Sequence, residues 1–236
     1  MKELLRAAFS QFEKNQIAAV DAELLLAHLL GISRKQIHAQ DLELADGDRE
    51  KLASEYSDLI NQRLLGRPVQ YITGSAAFRY LDLEVGEGVL IPRPESELIV
   101  DRVIGYLNSA DDKDLAKSVI DLGAGSGALS IAISTEAALK GLKVSMVAVE
   151  KSAEAAAWLN KNIAKYDLPI RVVIEDVVTA LPDVKADLVV ANPPYIPNDE
   201  KLPIEVANYE PEIALRGGPV DGMQIPKLFI DSAARL

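Results

Sequence analysis

Three glycines and a carboxylate lie close together near the middle of the chain, in the order Asp121, Gly123, Gly125 and Gly127. A short apolar run precedes them, and apolar residues at helical spacing follow. This order predicts a strand, a glycine turn and a helix. Glycine lets the backbone approach a ligand closely, and the first turn of a helix presents free N–H groups to it. The stretch therefore predicts a loop that binds a nucleotide-type ligand.

Two classes of nucleotide-binding loop fit these glycines. Dinucleotide-binding folds carry G-x-G-x-x-G/A, which Gly123, Gly125 and Ala128 match. The stretch also resembles the D-x-G-x-G-x-G loop of S-adenosylmethionine (SAM) methyltransferases, which Asp121 and the three glycines through Gly127 match. The glycines alone do not distinguish the two classes.

A second motif, Asn192-Pro193-Pro194-Tyr195, follows the fourth strand that we predict in this half of the chain. The two prolines lack N–H groups, and Pro193 pushes Asn192 out of the helical region. The resulting rigid loop is rich in acceptors and suits a planar –NH₂ group, which has two donors to place. Tyr195 is then expected to stack on a flat substrate. The structural alternative is a proline turn that merely ends a strand.

Acidic residues follow two further predicted strands. Glu150 ends the strand after the glycine loop, where an acid accepts hydrogen bonds from ribose hydroxyls in nucleotide-binding folds. The alternative is a surface glutamate beside Lys151. Asp176 and Val177 follow the next strand, where a purine ring would be held. An acid after a strand is also a common helix N-cap, so both interpretations of Asp176 stay open.

The composition limits the classes of protein that fit. The chain of 236 residues suits one large domain or a moderate domain with a small partner. No signal peptide or membrane span is expected. The chain has no cysteines and only two histidines, His28 and His38, so we also expect no disulfide, no metal site and no histidine triad. These features favour a cytoplasmic protein. The net charge of −11 argues against direct binding to nucleic-acid phosphates.

Hydrophobic spacing divides the chain into three parts. Helical spacing predicts a small N-terminal helical domain over residues 1–70, with Ser33 and Asp48 as N-caps. Residues 71–92 predict a linking β-hairpin with strands at 77–81 and 83–90. Residues 93–236 alternate strand and helix, which is typical of a parallel sheet with crossover helices.

The segment 92–97 at the start of the third part has two interpretations. Pro94 and Glu95 suit the first turn of a helix that we predict from about Ser96 to Leu107. The same residues are equally good candidates for lining the ligand site. A polar connector at 109–114 is predicted to follow that helix.

The combination of the glycine loop with Asn-Pro-Pro-Tyr is similar to amino-methyltransferases that act on nitrogens conjugated to a π-system. The whole chain resembles the HemK/PrmC family, the protein-(glutamine amide) methyltransferases that act on peptide chain release factors. Beyond the two motifs, the matching stretches are residues 68–74, 90–97, 209–211, 214–215 and 217–218.

The resemblance implies a class I SAM-dependent methyltransferase fold, a doubly wound, mostly parallel α/β sheet, with a helical N-terminal domain that recognises the substrate. It implies methylation of the glutamine in the Gly-Gly-Gln loop of release factors, with Asn192, Pro193 and Tyr195 catalytic and residues 192–195 holding the amide. With Asp176 added from its position after a strand, the expected SAM contacts are Gly123, Ala124, Gly125, Ser126, Gly127, Glu150, Asp176, Val177 and Asn192.

Two departures from the family pattern and two rival functions accompany this hypothesis. Val177 stands where the family commonly has an aromatic residue, so weaker stacking on adenine is expected. The family continues past residue 236, so its C-terminal strands are expected to be missing and the methyltransferase domain truncated. The rivals are a DNA or RNA base amino-methyltransferase, since Asn-Pro-Pro-Tyr also serves base amines, and more remotely an NAD-type dinucleotide-binding domain.

Overall fold

The computed structural model describes residues 1–39, 46–109 and 115–236. They form two compact units. The first unit comprises Met1–Gly74 and Ile204–Tyr209, and the second comprises Ser75–Pro203 and Glu210–Leu236. A short helix late in the sequence therefore belongs to the unit that begins the chain.

The first unit is helical, as its spacing predicts. Its helices are α1 (Lys2–Lys14), α2 (Ala19–Leu30), α3 (Arg34–Ala39), α4 (Asp46–Leu64), α5 (Val69–Thr73) and the late helix Ile204–Tyr209. Buried side chains such as Phe12, Leu25 and Tyr56 form its core. The Arg63 guanidinium contacts Asp21 at 2.7 Å and Glu205 at 2.8 Å, which ties the late helix to α2 and α4.

The two N-caps predicted in this unit have different outcomes. Ser33 directly precedes α3, and its N–H donates to Gln36 Oε1 at 2.8 Å. The prediction for Asp48 is wrong, because α4 begins at Asp46. Asp48 lies in the first turn of α4 instead, where a negative charge favours the helix dipole.

The second unit has a parallel central sheet with crossover helices. Its elements in chain order are β1 (Ser75–Phe78), β2 (Leu81–Glu84), α6 (Glu97–Ser109), β3 (Lys117–Leu122), α7 (Ala128–Leu139), β4 (Val144–Glu150), α8 (Ala153–Lys165), β5 (Arg171–Ile174), β6 (Leu188–Ala191), β7 (Ile196–Pro197), β8 (Arg216–Gly218) and α10 (Gln224–Arg235). The late helix of the first unit is α9 (Ile204–Tyr209). The sheet order is β5-β4-β3-β6, and all three neighbouring pairs are parallel. The predicted α/β fold class is confirmed.

The predicted hairpin forms, but its strands are misplaced. β1 and β2 pair from Ser75 opposite Glu84 to Phe78 opposite Leu81, so the predicted strands at 77–81 and 83–90 are wrong. The turn falls at Arg79, whose backbone adopts a positive φ of 54°. Tertiary contacts hold this residue, because its N–H donates to Glu97 and its guanidinium contacts Glu136 and Asp101.

The register brings the carboxyl ends of the four central strands to one edge of the sheet. Leu122 at the end of β3 pairs with Val149 and Ala191, so the loops after β3, β4 and β6 begin side by side. A 3₁₀ turn, Pro94–Ser96, leads into α6. Of the predicted connector at 109–114, Ser109 ends α6 and the remainder lies outside the described residues. In the described ranges, no helix has the length and apolar character needed to cross a membrane.

Candidate functional site

A cavity of about 560 Å³ lies in the second unit, where the four central strands end. This volume is within the range of small-molecule sites. Loops after all four strands line it, through Gly123–Ser126, Glu150, Val177 and Asn192. The carboxyl edge of an open parallel sheet is the usual ligand position, because the loops of neighbouring strands converge there.

The glycine loop needs its glycines for two different reasons. At Gly127, φ is +86° and an added Cβ would lie 2.7 Å from Leu159 Cδ1, so packing excludes a side chain. At Gly125, φ is +56°, yet no described atom lies within 4 Å of an added Cβ. Gly125 lines the cavity, so the missing side chain leaves open space for a ligand close to the main chain.

Glu150 ends β4 and holds this loop in place. One carboxylate oxygen accepts the Gly125 N–H at 2.9 Å, and the other accepts the Ser152 N–H at 2.8 Å. The side chain is buried and lines the cavity. Because each carboxylate oxygen has two acceptor positions, Glu150 keeps capacity for ligand hydroxyls.

Asp121 presents a second carboxylate to the cavity. It is 1% exposed, and its Oδ2 accepts from the Ser130 hydroxyl at 2.6 Å and from the Ser130 N–H at 3.1 Å. Its Oδ1 has no hydrogen-bond donor among the described residues. Burial raises the pKa of Asp121 to about 6, Glu150 adds to the rise, and the Ser130 hydrogen bonds oppose it. The free oxygen suits a cationic donor, a role that the sequence pattern did not reveal.

Asp176 and Val177 follow β5 and lie on the same cavity. Asp176 also begins a local turn, since its Oδ1 accepts the Val178 N–H at 3.0 Å, and it pairs with Lys151 at 3.5 Å. The Val177 side chain is buried in a core cluster with Ile120. Asp176 therefore begins a turn and not a helix, so the interpretation as a helix N-cap is wrong, whereas its position on the cavity is compatible with the predicted cofactor contact.

The residues of the Asn-Pro-Pro-Tyr loop differ in their relation to the cavity. Asn192 and Pro194 line it, whereas Pro193 and Tyr195 are not among its described lining residues. Tyr195 is 62% exposed. Asn192 Nδ2 donates to the Ser96 hydroxyl at 3.0 Å, which leaves its Oδ1 as the acceptor end of the amide.

The segment 92–97 begins a helix and also lines the cavity, through Pro92, Arg93 and Ser96. A buried carboxylate holds it, because Glu210 accepts from the Arg93 guanidinium and from the Ile91 N–H. Sequence reasoning singled out this segment but missed its partners. The match at residues 209–211 was the available signal for Glu210.

Further lining residues come from the end of the chain, which the sequence analysis did not assign to the site: Arg216, Ile225 and Phe229. Phe229 lies against the glycine loop, since an added Cβ at Gly123 would be 3.1 Å from its ring. Among the described residues, no three or more histidine, cysteine, aspartate or glutamate side chains lie close enough together to bind a metal ion.

Comparison with known proteins gives matches to both units. Residues 3–74 match the family model "PrmC N-terminal domain", and residues 97–207 match "Methyltransferase small domain". The release factor glutamine methyltransferase of Bifidobacterium longum is 37% identical over 238 residues, covering 92% of this chain and 76% of that protein. The Mycolicibacterium smegmatis protein of the same name is 37% identical, covering 92% and 72%. That of Gloeobacter violaceus is 34% identical, covering 97% and 77%.

Proposed function

This chain belongs to the release factor glutamine methyltransferase family, and we propose that it transfers a methyl group from SAM to a side-chain amide of a peptide chain release factor. The acceptor is the nitrogen of the glutamine in the Gly-Gly-Gln loop. One observation carries the proposal: the cavity that the glycine loop lines is also lined by Asn192, whose amide is oriented by Ser96.

The cavity residues fit SAM in chemistry as well as in volume. The open space at Gly125 admits a ligand close to the main chain, and Glu150 has acceptor capacity for ribose hydroxyls. The free Oδ1 of Asp121 would accept from the α-ammonium group of the amino-acid portion. Val177, beside Asp176, offers an apolar surface to the adenine ring. The remaining proposed contacts are Gly123, Ala124, Ser126, Gly127 and Asn192.

The reaction asks the protein mainly to position its reactants. SAM, when bound, supplies an electrophilic methyl group on a positively charged sulfur. An amide nitrogen is a poor nucleophile, because its lone pair is delocalised into the carbonyl. Holding this nitrogen in line with the methyl group and the sulfur would lower the activation barrier by several kcal/mol. Asn192 Oδ1 and the Pro193 carbonyl would accept from the amide –NH₂ and aim its lone pair. The same acceptors favour the positive charge that develops on nitrogen as the N–C bond would form and the methyl–sulfur bond would break, and the nitrogen would then release one proton to water.

The acceptor loop is rigid before substrate arrives. Pro193 and Pro194 fix their own φ angles, and Ser96 fixes the amide of Asn192. Tyr195, largely exposed beside this loop, is available to contact a flat group of the protein substrate. Acceptors that are already oriented need no reorganisation at the moment of reaction, which is the main source of electrostatic catalysis.

The division of labour between the parts of the chain is also a proposal. Residues 1–70 would recognise the release factor, and residues 93–236 would bind SAM and carry out the transfer. The hairpin segment at 71–92, expected to link the two, lies mostly in the second unit and contributes Pro92 to the cavity. The match of residues 3–74 to the PrmC N-terminal domain supports the first assignment. We also propose a cytoplasmic location and, from the net charge of −11, no direct role for nucleic-acid binding.

Labelling with SAM that carries a radioactive methyl group tests the proposal. The chain is incubated separately with a release factor, with the same factor carrying glutamate in place of the Gly-Gly-Gln glutamine, with DNA and with RNA. We expect label only in the unmodified factor, because glutamate has no –NH₂ group. Label confined to DNA or RNA would support the base amino-methyltransferase instead, and tighter binding of NADH than of SAM would support the dinucleotide-binding domain.

A further inference from the structure

The guanidinium of one arginine on α10 lies within hydrogen-bonding distance of several main-chain carbonyls in the segment that follows β5. Arg235 lies in the last turn of α10. Its Nη1 donates to the Leu181 carbonyl at 3.1 Å, and its Nη2 lies 2.9 Å from the Ala180 carbonyl. The same Nη2 lies 3.3 Å from the carbonyl of Val177 and 3.4 Å from that of Val178. A planar guanidinium with five donors can serve several acceptors at once, which a lysine ammonium does less well.

The segment that Arg235 holds has an unusual backbone. It forms a single turn, in which the N–H groups of Thr179 and Ala180 donate to the Asp176 carbonyl at 3.1 and 2.9 Å. Leu181 then adopts a φ of +56°, a left-handed conformation that is unfavourable for residues other than glycine. Such a conformation persists only where its surroundings hold it. The carbonyls at the end of the turn point at Arg235, and a cation there is favourable as at a helix C-terminus.

This turn is also a wall of the cavity. Asp176 and Val177 line the cavity and are the first residues of the turn. β5 has four residues and lies at one end of the sheet order, so the sheet supports the turn from one side. A shift of the Val177 main chain would change the width of the cavity where we place the adenine ring.

α10 contacts the glycine loop as well. Phe229 lines the cavity and lies against Gly123, where an added Cβ would be 3.1 Å from its ring. Phe229 and Leu236 also pack in the same core cluster as Val177. The helix thus joins the two loops that would enclose the cofactor, one through an aromatic ring and the other through Arg235.

We propose that Arg235 is a positioning residue for the SAM site, which fixes the Val177 turn and so sets the width of the adenine end of the cavity. The reference to SAM rests on the proposed function, whereas the contact with the turn does not. Arg235 does not line the cavity, and it acts through the main chain of residues 177–181.

The test compares Arg235→Met, which keeps much of the stem without the charge, with Arg235→Lys. In cofactor-free protein we expect faster hydrogen exchange of the amides at 177–181 in the Met variant. We also expect Kd and KM for SAM to rise about tenfold, as for the loss of hydrogen bonds to a charged group, with kcat and the KM for release factor within about twofold of wild type. The Lys variant should recover part of the SAM affinity.

Val103→Ala is the matched control for general destabilisation. Val103 is buried in α6 and belongs to a core cluster that does not include the Val177 turn. We expect it to lower the melting temperature without changing the KM for SAM. The proposal is overturned if Arg235→Met leaves both SAM affinity and exchange at 177–181 unchanged, or if Val103→Ala raises the KM for SAM equally. If wild type binds no SAM, the proposed function fails, and exchange in the cofactor-free protein alone decides whether Arg235 holds the turn.

Discussion

Asn192 Nδ2 donates a hydrogen bond to the Ser96 hydroxyl at 3.0 Å, so a residue of the 3₁₀ turn before α6 holds the Asn192 amide by its nitrogen end. The free end is Oδ1, an acceptor. Without the Ser96 contact, the amide could rotate and present its donors instead, which repel the –NH₂ group of a substrate amide. The segment 92–97 therefore contributes to the chemistry of the site by orienting a side chain 96 positions away in sequence.

Ser96→Ala should lower kcat with little effect on SAM affinity. The change removes the partner that orients Asn192, and the loss of one such hydrogen bond is expected to cost about 1 kcal/mol, or roughly fivefold in rate. Steady-state methylation of a release factor, with SAM affinity measured by calorimetry, checks this. Ser109→Ala is the control, because its exposed hydroxyl donates to the Tyr106 carbonyl of the same helix, α6. A wild-type kcat for Ser96→Ala would show that Ser96 does not orient the amide.

Asn192→Ala should cost turnover far more than SAM affinity. Its acceptor matters most when charge develops on the substrate nitrogen, so we expect a loss of about 2–4 kcal/mol in the transition state. Asn192→Asp keeps an acceptor oxygen, and the Ser96 hydroxyl can then donate to it, so part of the activity should remain. Methylation rates for the three proteins, each at saturating SAM, separate the effects. Full activity in Asn192→Ala would remove this residue from the catalytic site.

Element types were predictable where one local signal and the tertiary structure agree. Helical spacing in α2 marks Ala22, Leu25 and Leu26, which are buried, although Leu24 is exposed. The apolar run of β3 buries Val119 and Ile120. The hairpin turn was not predictable, because Arg79 carries none of the usual turn chemistry. Its positive φ is held by Glu97, Glu136 and Asp101, which are distant in sequence.

The site likewise contains residues that the sequence made predictable and residues that it did not. The residues after β3, β4, β5 and β6 were predictable as cavity residues, because parallel strands end at one edge. Ser96, Glu210 and Arg235 act through single contacts with distant side chains or carbonyls, and no spacing in the sequence encodes those contacts. Asp121 belonged to a recognised motif, but its free oxygen follows from burial and from the geometry of Ser130.

Glu150→Gln should weaken SAM binding while leaving the fold intact. The amide keeps one acceptor oxygen but replaces the other with a donor, which conflicts with the N–H of Gly125 or Ser152. We expect a loss of about 1.5–3 kcal/mol in SAM affinity, the usual range for hydrogen bonds to a charged group. Calorimetry and the melting temperature give the two quantities. Unchanged SAM affinity in a folded variant would exclude Glu150 from the cofactor site.

The ionisation of Asp121 predicts opposite pH dependences for stability and for SAM binding. Burial raises its pKa from 3.8 to about 6 in the folded protein, so the folded state holds this proton more tightly than the unfolded state. Asp121 therefore lowers the free energy of unfolding of the cofactor-free protein as pH rises from 3.8 to about 6, by up to about 3 kcal/mol. Above pH 6 this full destabilisation remains. The ammonium of SAM needs the ionised carboxylate, so SAM affinity should increase as pH rises through about 6.

Asp121→Asn separates these two effects. Asparagine cannot ionise, so the variant should lose this contribution to the pH dependence of stability and should gain stability at pH 7. It also lacks the negative charge, so at pH 7 it should bind SAM more weakly than wild type by about 1.5–3 kcal/mol. Its SAM affinity should also depend less on pH between pH 5 and 7. Denaturant unfolding and calorimetry over this pH range measure both. The role of Asp121 as the ammonium acceptor is contradicted if the variant becomes more stable at pH 7 but binds SAM as tightly as wild type, because burial alone then accounts for its raised pKa.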